Sequence, residues 1–341
     1  MRECVEKSYG HIRYELPFIG ALCVDVPEKN TAAVLKLRGI TAATEDMKVT
    51  KFEAQESSKS CMGNADAGSL GRGVSIAVLD TGTHPHYDLI KPCSRLLFFK
   101  DFVNSRTAPY DDDGHGTHVS GIAAGNGFSG APKGIAPEAS IVSLKVLDSD
   151  GSGNVSDILA AMQWICDNHK KYNIRVVNLS LGMTYDGSLR IDPLHLGVGA
   201  LYKRGITVVA AGGNSGPAAK TISSPGNSPY VLTAGCCGKA GVSEFSSRGP
   251  AGTYMKPDLV ACGEDICSLA PGKTATAIQS GTSMSAPAVS GAAACLYSAY
   301  PQLTACQVKK ILMSATVPFD DEDRNSQGYG RLDTEMLKSL I

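Results

Sequence analysis

This sequence predicts an α/β fold: a doubly wound, mostly parallel sheet with helices on both faces. Two observations carry that prediction. Short, almost wholly apolar stretches over 74–79, 141–147, 176–181 and 206–211 read as strands buried on both faces, because a half-solvated strand would alternate with polar residues. Between them lie helical stretches over 115–124, 154–171 and 194–203, the alternation of parallel crossover units. A closing N-capped helix is expected over 304–315, followed by a turn over 328–332.

The N-terminal region reads differently. Residues 12–18 alternate apolar side chains with Arg13, Glu15 and Pro17, and apolar positions continue to Val26, as in half-buried extended chain. Pro27 and Gly39 bracket a short helix over 28–38, and a strand over 40–49 completes a small α+β module. Residues 53–72, rich in Ser, Gly, Ala and Asn, read as an arm or linker.

Composition narrows the function. Apolar residues make up 43% and charged residues 19%, enough for a sizeable core and unlike a disordered chain. The formal net charge of −1 supplies no field for nucleic acid or an anionic membrane, and no run of 18 apolar residues exists to span one. The apolar stretch 16–24 is a poor export signal, because Glu3, Glu6 and Glu15 precede it, Asp25 follows it and no small-x-small cleavage site appears. The 11 cysteines form no C-x-x-C pair, which argues against zinc, and an odd number cannot pair completely within one chain. A cytoplasmic location is therefore favoured, with secretion as the alternative if a signal has been removed. Cys236 and Cys237 read as small strand residues.

Chemistry concentrates in three places. Asp80 ends the strand over 74–79, at the carboxyl edge where open α/β sheets hold their ligands. The run DDDGHGTHVSG sets His115 between two glycines at a helix start, with an imidazole whose ordinary pKa suits general base work. The run SGTSMSAP places Ser283 just ahead of a small-residue helix with Pro287 in its first turn. Each has a plainer reading taken alone: a turn aspartate, a packed helix residue for His118, an N-cap serine. Ser280 and Ser285 compete with Ser283. Together, Asp, His and Ser are the parts a serine nucleophile needs, since the serine requires a base and the base an orienting anion. The order Asp, His, Ser and the absence of a G-x-S-x-G elbow exclude the lipase and esterase pattern.

In VLDTG, GHGTHVSG and GTSMSAP, in that order, the chain resembles the subtilisin family (subtilases) of serine peptidases over about 70–335, with an N-terminal inhibitory propeptide over 1–52 and a catalytic domain over 73–341. The resemblance implies Ser283 as nucleophile, His115 as base and then acid, Asp80 as the group that orients the imidazole, and Asn214 of VVAAGGNSG as the oxyanion donor. It implies that Ser180, Leu181 and Gly182 pair with an extended substrate, opposite a wall of Gly151, Ser152 and Gly153. TAATEDMKVTKF resembles the end of such a propeptide, so self-cleavage is expected between Phe52 and Glu53. Asp113 is expected to favour a cationic residue just upstream of the cut, where Lys51 stands in this chain.

No cofactor is expected for the chemistry. Structural calcium is an open expectation, with Asp88 as the family-matched ligand and the Asp111–Asp113 carboxylates as alternatives. Protein or peptide substrates and the chain's own propeptide are the expected partners. The rival readings are a non-catalytic subtilase-like regulatory or binding protein held by its propeptide, and a carboxylester hydrolase.

Overall fold

The structure, a computed structural model, describes residues 10–54 and 71–341. Most of the arm expected over 53–72 lies outside the described residues, as do Cys4 and Cys61.

In chain order the elements are β1 (His11–Leu16), β2 (Ala21–Asp25), α1 (Thr31–Val34), β3 (Lys48–Lys51), β4 (Ser75–Asp80), α2 (Tyr87–Ile90), β5 (Leu96–Asp101), α3 (His115–Ala124), β6 (Ser140–Lys145) and β7 (Ser152–Asn154). They continue with α4 (Val155–Asn168), β8 (Ile174–Leu179), β9 (Leu181–Gly182), α5 (Pro193–Lys203), β10 (Thr207–Ala211), β11 (Leu232–Cys237), β12 (Leu259–Cys262), β13 (Ile266–Leu269), β14 (Thr276–Gln279) and α6 (Thr282–Ala299). The chain ends with α7 (Ala305–Ser314), β15 (Thr316–Val317), α8 (Arg324–Gln327), β16 (Arg331–Leu332) and α9 (Thr334–Ser339).

Among the described residues the main sheet has nine strands in the order β15-β16-β12-β11-β10-β8-β4-β6-β5. Its pairs are parallel apart from β15 with β16. Both faces are buried, as the apolar strands require. Ile76 and Val78 of β4 join a core with α3 and α6, while Ala77 and Leu79 face a second core with α4 and α5. The chain runs outward from β4 to β5 and β6, then crosses to β8 on the other side of β4. The carboxyl end of β4 is therefore the reversal point of the strand order, where such sheets open a crevice.

Two expectations need correction at this level. The helix over 28–38 is only a single turn, α1, preceded by a 3-10 turn at Glu28–Asn30. Val34 is its one buried residue, and Leu35 is 50% exposed, so no apolar face exists to hold a longer helix. The strand over 40–49 forms only as β3 at Lys48–Lys51. Instead of the compact strand-helix-strand module, β1 and β2 make an antiparallel hairpin against α4, and β3 leaves it to pair elsewhere.

A third correction concerns Pro287. The long helix α6 begins at Thr282, so Ser283 sits in its first turn and Pro287 inside it. Proline removes the N–H that would bond the Ser283 carbonyl. The Ser180 hydroxyl donates to that carbonyl instead, at 2.9 Å, so the helix runs on past the proline with no orphaned acceptor at this point.

Candidate active site

Asp80, the last residue of β4, and His115, the first of α3, meet at the reversal point. His115 Nδ1 lies 2.7 Å from Asp80 Oδ1, which also accepts the Thr81 N–H at 2.8 Å. Both side chains are fully buried. With Nδ1 donating to the carboxylate, Nε2 carries the lone pair and has no hydrogen-bond partner. Burial disfavours the charged imidazolium, but the Asp80 charge and hydrogen bond outweigh it and raise the His115 pKa above its ordinary value. Gly116 permits the approach: a Cβ there would collide with the Gly82 carbonyl and lie 3.1 Å from Asp80 Cβ.

Ser283 is tied to Ser180 in both directions. Its hydroxyl donates to Ser180 O at 2.9 Å, while Ser180 Oγ donates to Ser283 O. Ser283 Oγ also accepts the Phe52 N–H at 3.1 Å. The competing serines are engaged elsewhere: Ser285 Oγ donates to Ala261 O at 2.9 Å, and Ser280 Oγ accepts the Asp265 N–H at 2.9 Å. Asn214 follows β10, and its Oδ1 accepts from Thr282 N at 3.1 Å and Thr282 Oγ1 at 2.9 Å. That grip leaves Nδ2 unpartnered beside Gly281. A Cβ on Gly281, whose φ is +149°, would lie 3.1 Å from Asn214 Nδ2 and would collide with the Phe52 carbonyl.

The N-terminal segment threads this cleft. β3 pairs antiparallel with β7 on one side, Val49 opposite Gly153, and with β9 on the other, Lys51 opposite Leu181. The result is a three-stranded sheet in which Gly151–Gly153 and Leu181–Gly182 are walls and the chain's own residues 48–51 are the middle strand. Lys51 N donates to Gly151 O at 3.0 Å, and past Phe52 the Ala54 N–H reaches Ser280 O at 2.7 Å. The Phe52 ring lies against Gly182, where a Cβ would come within 2.8 Å of it.

The three consecutive aspartates separate completely. Asp111 is buried and accepts from Thr81 Oγ1, Gly114 N and Asp113 N through one oxygen, and from Thr117 N and Oγ1 through the other. Burial alone would raise its pKa, but these donors hold it below its ordinary value. Asp112 accepts from the buried Lys145 Nζ at 2.6 Å. Asp113 receives Lys51 Nζ at 2.9 and 2.8 Å, and the same ammonium reaches Glu53 at 2.9 Å.

Two further contributors are Lys145, which carries no sequence signal, and Asp46, whose pair with Glu45 resembles the acidic pair near the end of a propeptide but whose partner the sequence does not reveal. Lys145 Nζ also donates to Thr81 O and Leu147 O, pinning the strand end that bears Asp80 to the acidic loop. Asp46 caps α4 from outside, accepting from Ser156 N at 2.9 Å and Ser156 Oγ at 2.7 Å, while Met47 O takes the Val155 N–H. Arg13 holds Asp46 in that position, at 2.5 Å.

The calcium expectation does not fit these residues. Asp88 is buried, but its two oxygens accept the Ser129 N–H at 2.7 Å and the Gly127 N–H at 3.0 Å, so donors rather than space for a cation face them. Asp111 to Asp113 are occupied in the same way by donors and ammonium groups. Among the described residues no three His, Cys, Asp or Glu side chains group as a metal site. Likewise, no helix among them is long and apolar enough to cross a membrane.

Comparison with known proteins adds independent support. Serine protease AprX of Bacillus subtilis is 39% identical over 297 residues, covering 78% of this chain and 66% of its own length. Subtilisin E of the same species is 32% identical over 340 residues, 97% of this chain and 83% of its own, so the alignment takes in the N-terminal segment. The solved structure of sphericase superposes with a TM-score of 0.67 at 29% identity, covering 78% of this chain and 93% of that one. Residues 71–330 match the subtilase family. The chain belongs to that family, with its subtilisin-like fold, and is a subtilisin-like serine endopeptidase.

Proposed function

We propose that this endopeptidase works through Ser283, His115 and Asp80 and that its first substrate is its own peptide bond between Phe52 and Glu53. The observation that carries this reading is the course of residues 48–54 through the cleft, with the Phe52 N–H on Ser283 Oγ and the Phe52 carbonyl beside Gly281 and Asn214. On this reading residues 1–52 are a propeptide, 53–72 a connecting arm and 73–341 the catalytic domain.

Reaction begins when the Ser283 hydroxyl proton, held on Ser180 O in this structure, is redirected to His115 Nε2, which has no hydrogen-bond partner. Oγ attacks the Phe52 carbonyl carbon, the new C–O bond forms, and the proton passes to Nε2. Asp80 on Nδ1 stabilises the resulting imidazolium. The oxyanion is met by Asn214 Nδ2, otherwise unpartnered, and by the Ser283 backbone N–H. The C–N bond then breaks, the imidazolium returns its proton to the Glu53 amine, and water releases Phe52 from the acyl-enzyme by the reverse sequence.

Later substrates would take the place of β3 as an added strand, with affinity from the backbone and preference from the pockets. The contacts at Phe52 and Lys51 favour an aromatic or large apolar residue before the cut and a cation preceding it. No cofactor enters these steps. The cytoplasmic expectation drawn from the cysteines gains no support from the relatives, and secretion is equally compatible with the fold.

Intact mass and N-terminal sequencing of the purified protein, beside a Ser283→Ala variant, test the reading. A mature chain beginning at Glu53 in the wild type and a full-length variant are expected. Full-length chains in both, or a mature chain beginning well away from Glu53, would overturn it.

A further inference from the structure

The described cysteines form no disulfide, yet two of them face each other across the sheet. Cys237 ends β11, Cys262 ends β12, and the two are register partners in a parallel pair. Side chains at such positions project from the same face, on strands about 4.8 Å apart, inside the roughly 4.4–6.8 Å between Cα atoms that a disulfide accepts. The register therefore sets the Cys237 and Cys262 side chains next to each other. Neighbouring Cys236 points to the opposite face, where the Ser243 hydroxyl donates to its sulfur.

We propose that Cys237 and Cys262 are an oxidant-responsive thiol pair, with Cys262 as the reacting sulfur and Cys237 as the resolving one. Three features assign those roles. Cys262 is partly exposed whereas Cys237 is fully buried. The neighbouring Cys237 thiol and the Arg331 guanidinium lower the Cys262 pKa against the effect of burial, which favours its thiolate. The neighbouring Cys262 and burial shift Cys237 upward, so it stays a thiol.

With hydrogen peroxide as the oxidant, the Cys262 thiolate attacks one peroxide oxygen. An S–O bond forms, the O–O bond breaks, and the departing hydroxide takes a proton to leave as water. Cys237 then displaces the sulfenic oxygen, forming the S–S bond and a second water. Two thiols lose two hydrogens and one peroxide is reduced to two waters.

The position gives the bond a route to the active site. It would close the segment 238–261, in which Phe245 O accepts the Gly216 N–H and Ser247 holds Gly213 O and Ser215 N around Asn214. Gly263, the residue after Cys262, accepts the Gly281 N–H at 2.8 Å just ahead of Ser283.

The test uses the full chain as Ser283→Ala, which prevents self-digestion and keeps every thiol. It is treated with hydrogen peroxide, alkylated in denaturant, digested with trypsin and read by tandem mass spectrometry. A peptide pair joined through Cys237 and Cys262, two hydrogen masses below the sum of its parts and restored by dithiothreitol, is expected. Cys237→Ser should instead accumulate a sulfenic acid at Cys262 that dimedone traps, and Cys262→Ser should leave Cys237 as a thiol. Both cysteines recovered fully alkylated from the treated parent, or Cys262 joined to a different cysteine, would overturn the proposal without reference to the variants.

Discussion

β3 and β4 are both extended strands, and they owe their shape to different causes. All six residues of β4 are buried, and its apolar side chains fill two cores that its own sequence created. β3 reads KVTK, has Val49 as its one buried residue, and is extended because β7 and β9 supply hydrogen bonds on both edges. The first strand is specified by what it buries, the second by where it lies. The same contrast separates the doubly wound sheet from the whole N-terminal segment. The segment contributes Leu16 and Val49 to the second core, with Tyr14, Phe18 and Met47 packed against it, and is otherwise held by polar contacts: Tyr14 on Asp157 at 2.8 Å, the Phe18 N–H on Gln163 at 3.0 Å, Asp46 on α4, and Lys51 on Asp113.

Breaking the rigid side should cost most. Asn214→Ala removes a donor aimed by Thr282 from within the sheet's framework, and kcat on peptides should fall roughly 10²–10³-fold with KM little changed. A purely structural role for Asn214 would show as lost thermal stability instead.

The core side also has a pH signature. His118 is buried in α3, its Nε2 donating to Ile266 O and Ala277 O, and burial first, then the charge of His115, lowers its pKa from 6.5 to about 4. Folded protein keeps it neutral where the unfolded chain binds a proton. Its contribution to stability is therefore complete above pH 6.5 and is lost as pH falls toward 4, on the order of 3 kcal/mol in all. Urea midpoints of the Ser283→Ala chain at pH 7 and 4.5, with and without His118→Gln, measure it. An equal acid loss in both would remove His118 from the account.

On the segment side the effects should be smaller. Peptides with Lys just upstream of the residue before the cut should exceed their Leu counterparts about tenfold in kcat/KM, the size of one charge-assisted pair. Asp113→Asn should abolish the difference. Asp46→Ala in the Ser283→Ala chain removes a cap of about 1 kcal/mol, so amide exchange in the first turn of α4 should quicken about fivefold. Amides of β4 should not change, and if they did the two regions would be coupled after all.

The same division explains what the sequence made legible. The strands over 74–79 and 206–211 and the helices over 115–124 and 194–203 fall within a residue or so of their structural bounds, because each buries its own apolar pattern. β5 lies at the sheet edge with Leu97 exposed, and β12 is only four residues long, so neither stood out. The placement of Asp80 at a strand end, of His115 beside close-packing glycines and of Ser283 at a helix start was legible because each position has distinctive neighbours. Asp111, Asp112 and Asp113 were not separable, since three identical side chains in a row acquire different roles only from Thr81, Lys145 and Lys51, which lie far off in sequence. Nor was the cap that Asp46 places on α4, which depends on a surface 110 residues away.

Ser283 as the nucleophile is the centre of the account, and covalent labelling tests it most directly. Processed enzyme treated with phenylmethylsulfonyl fluoride should lose its activity and carry one sulfonyl group on Ser283 itself, with His115→Ala preventing the label. A label on Ser280 or Ser285, or activity lost with Ser283 unmodified, would contradict it.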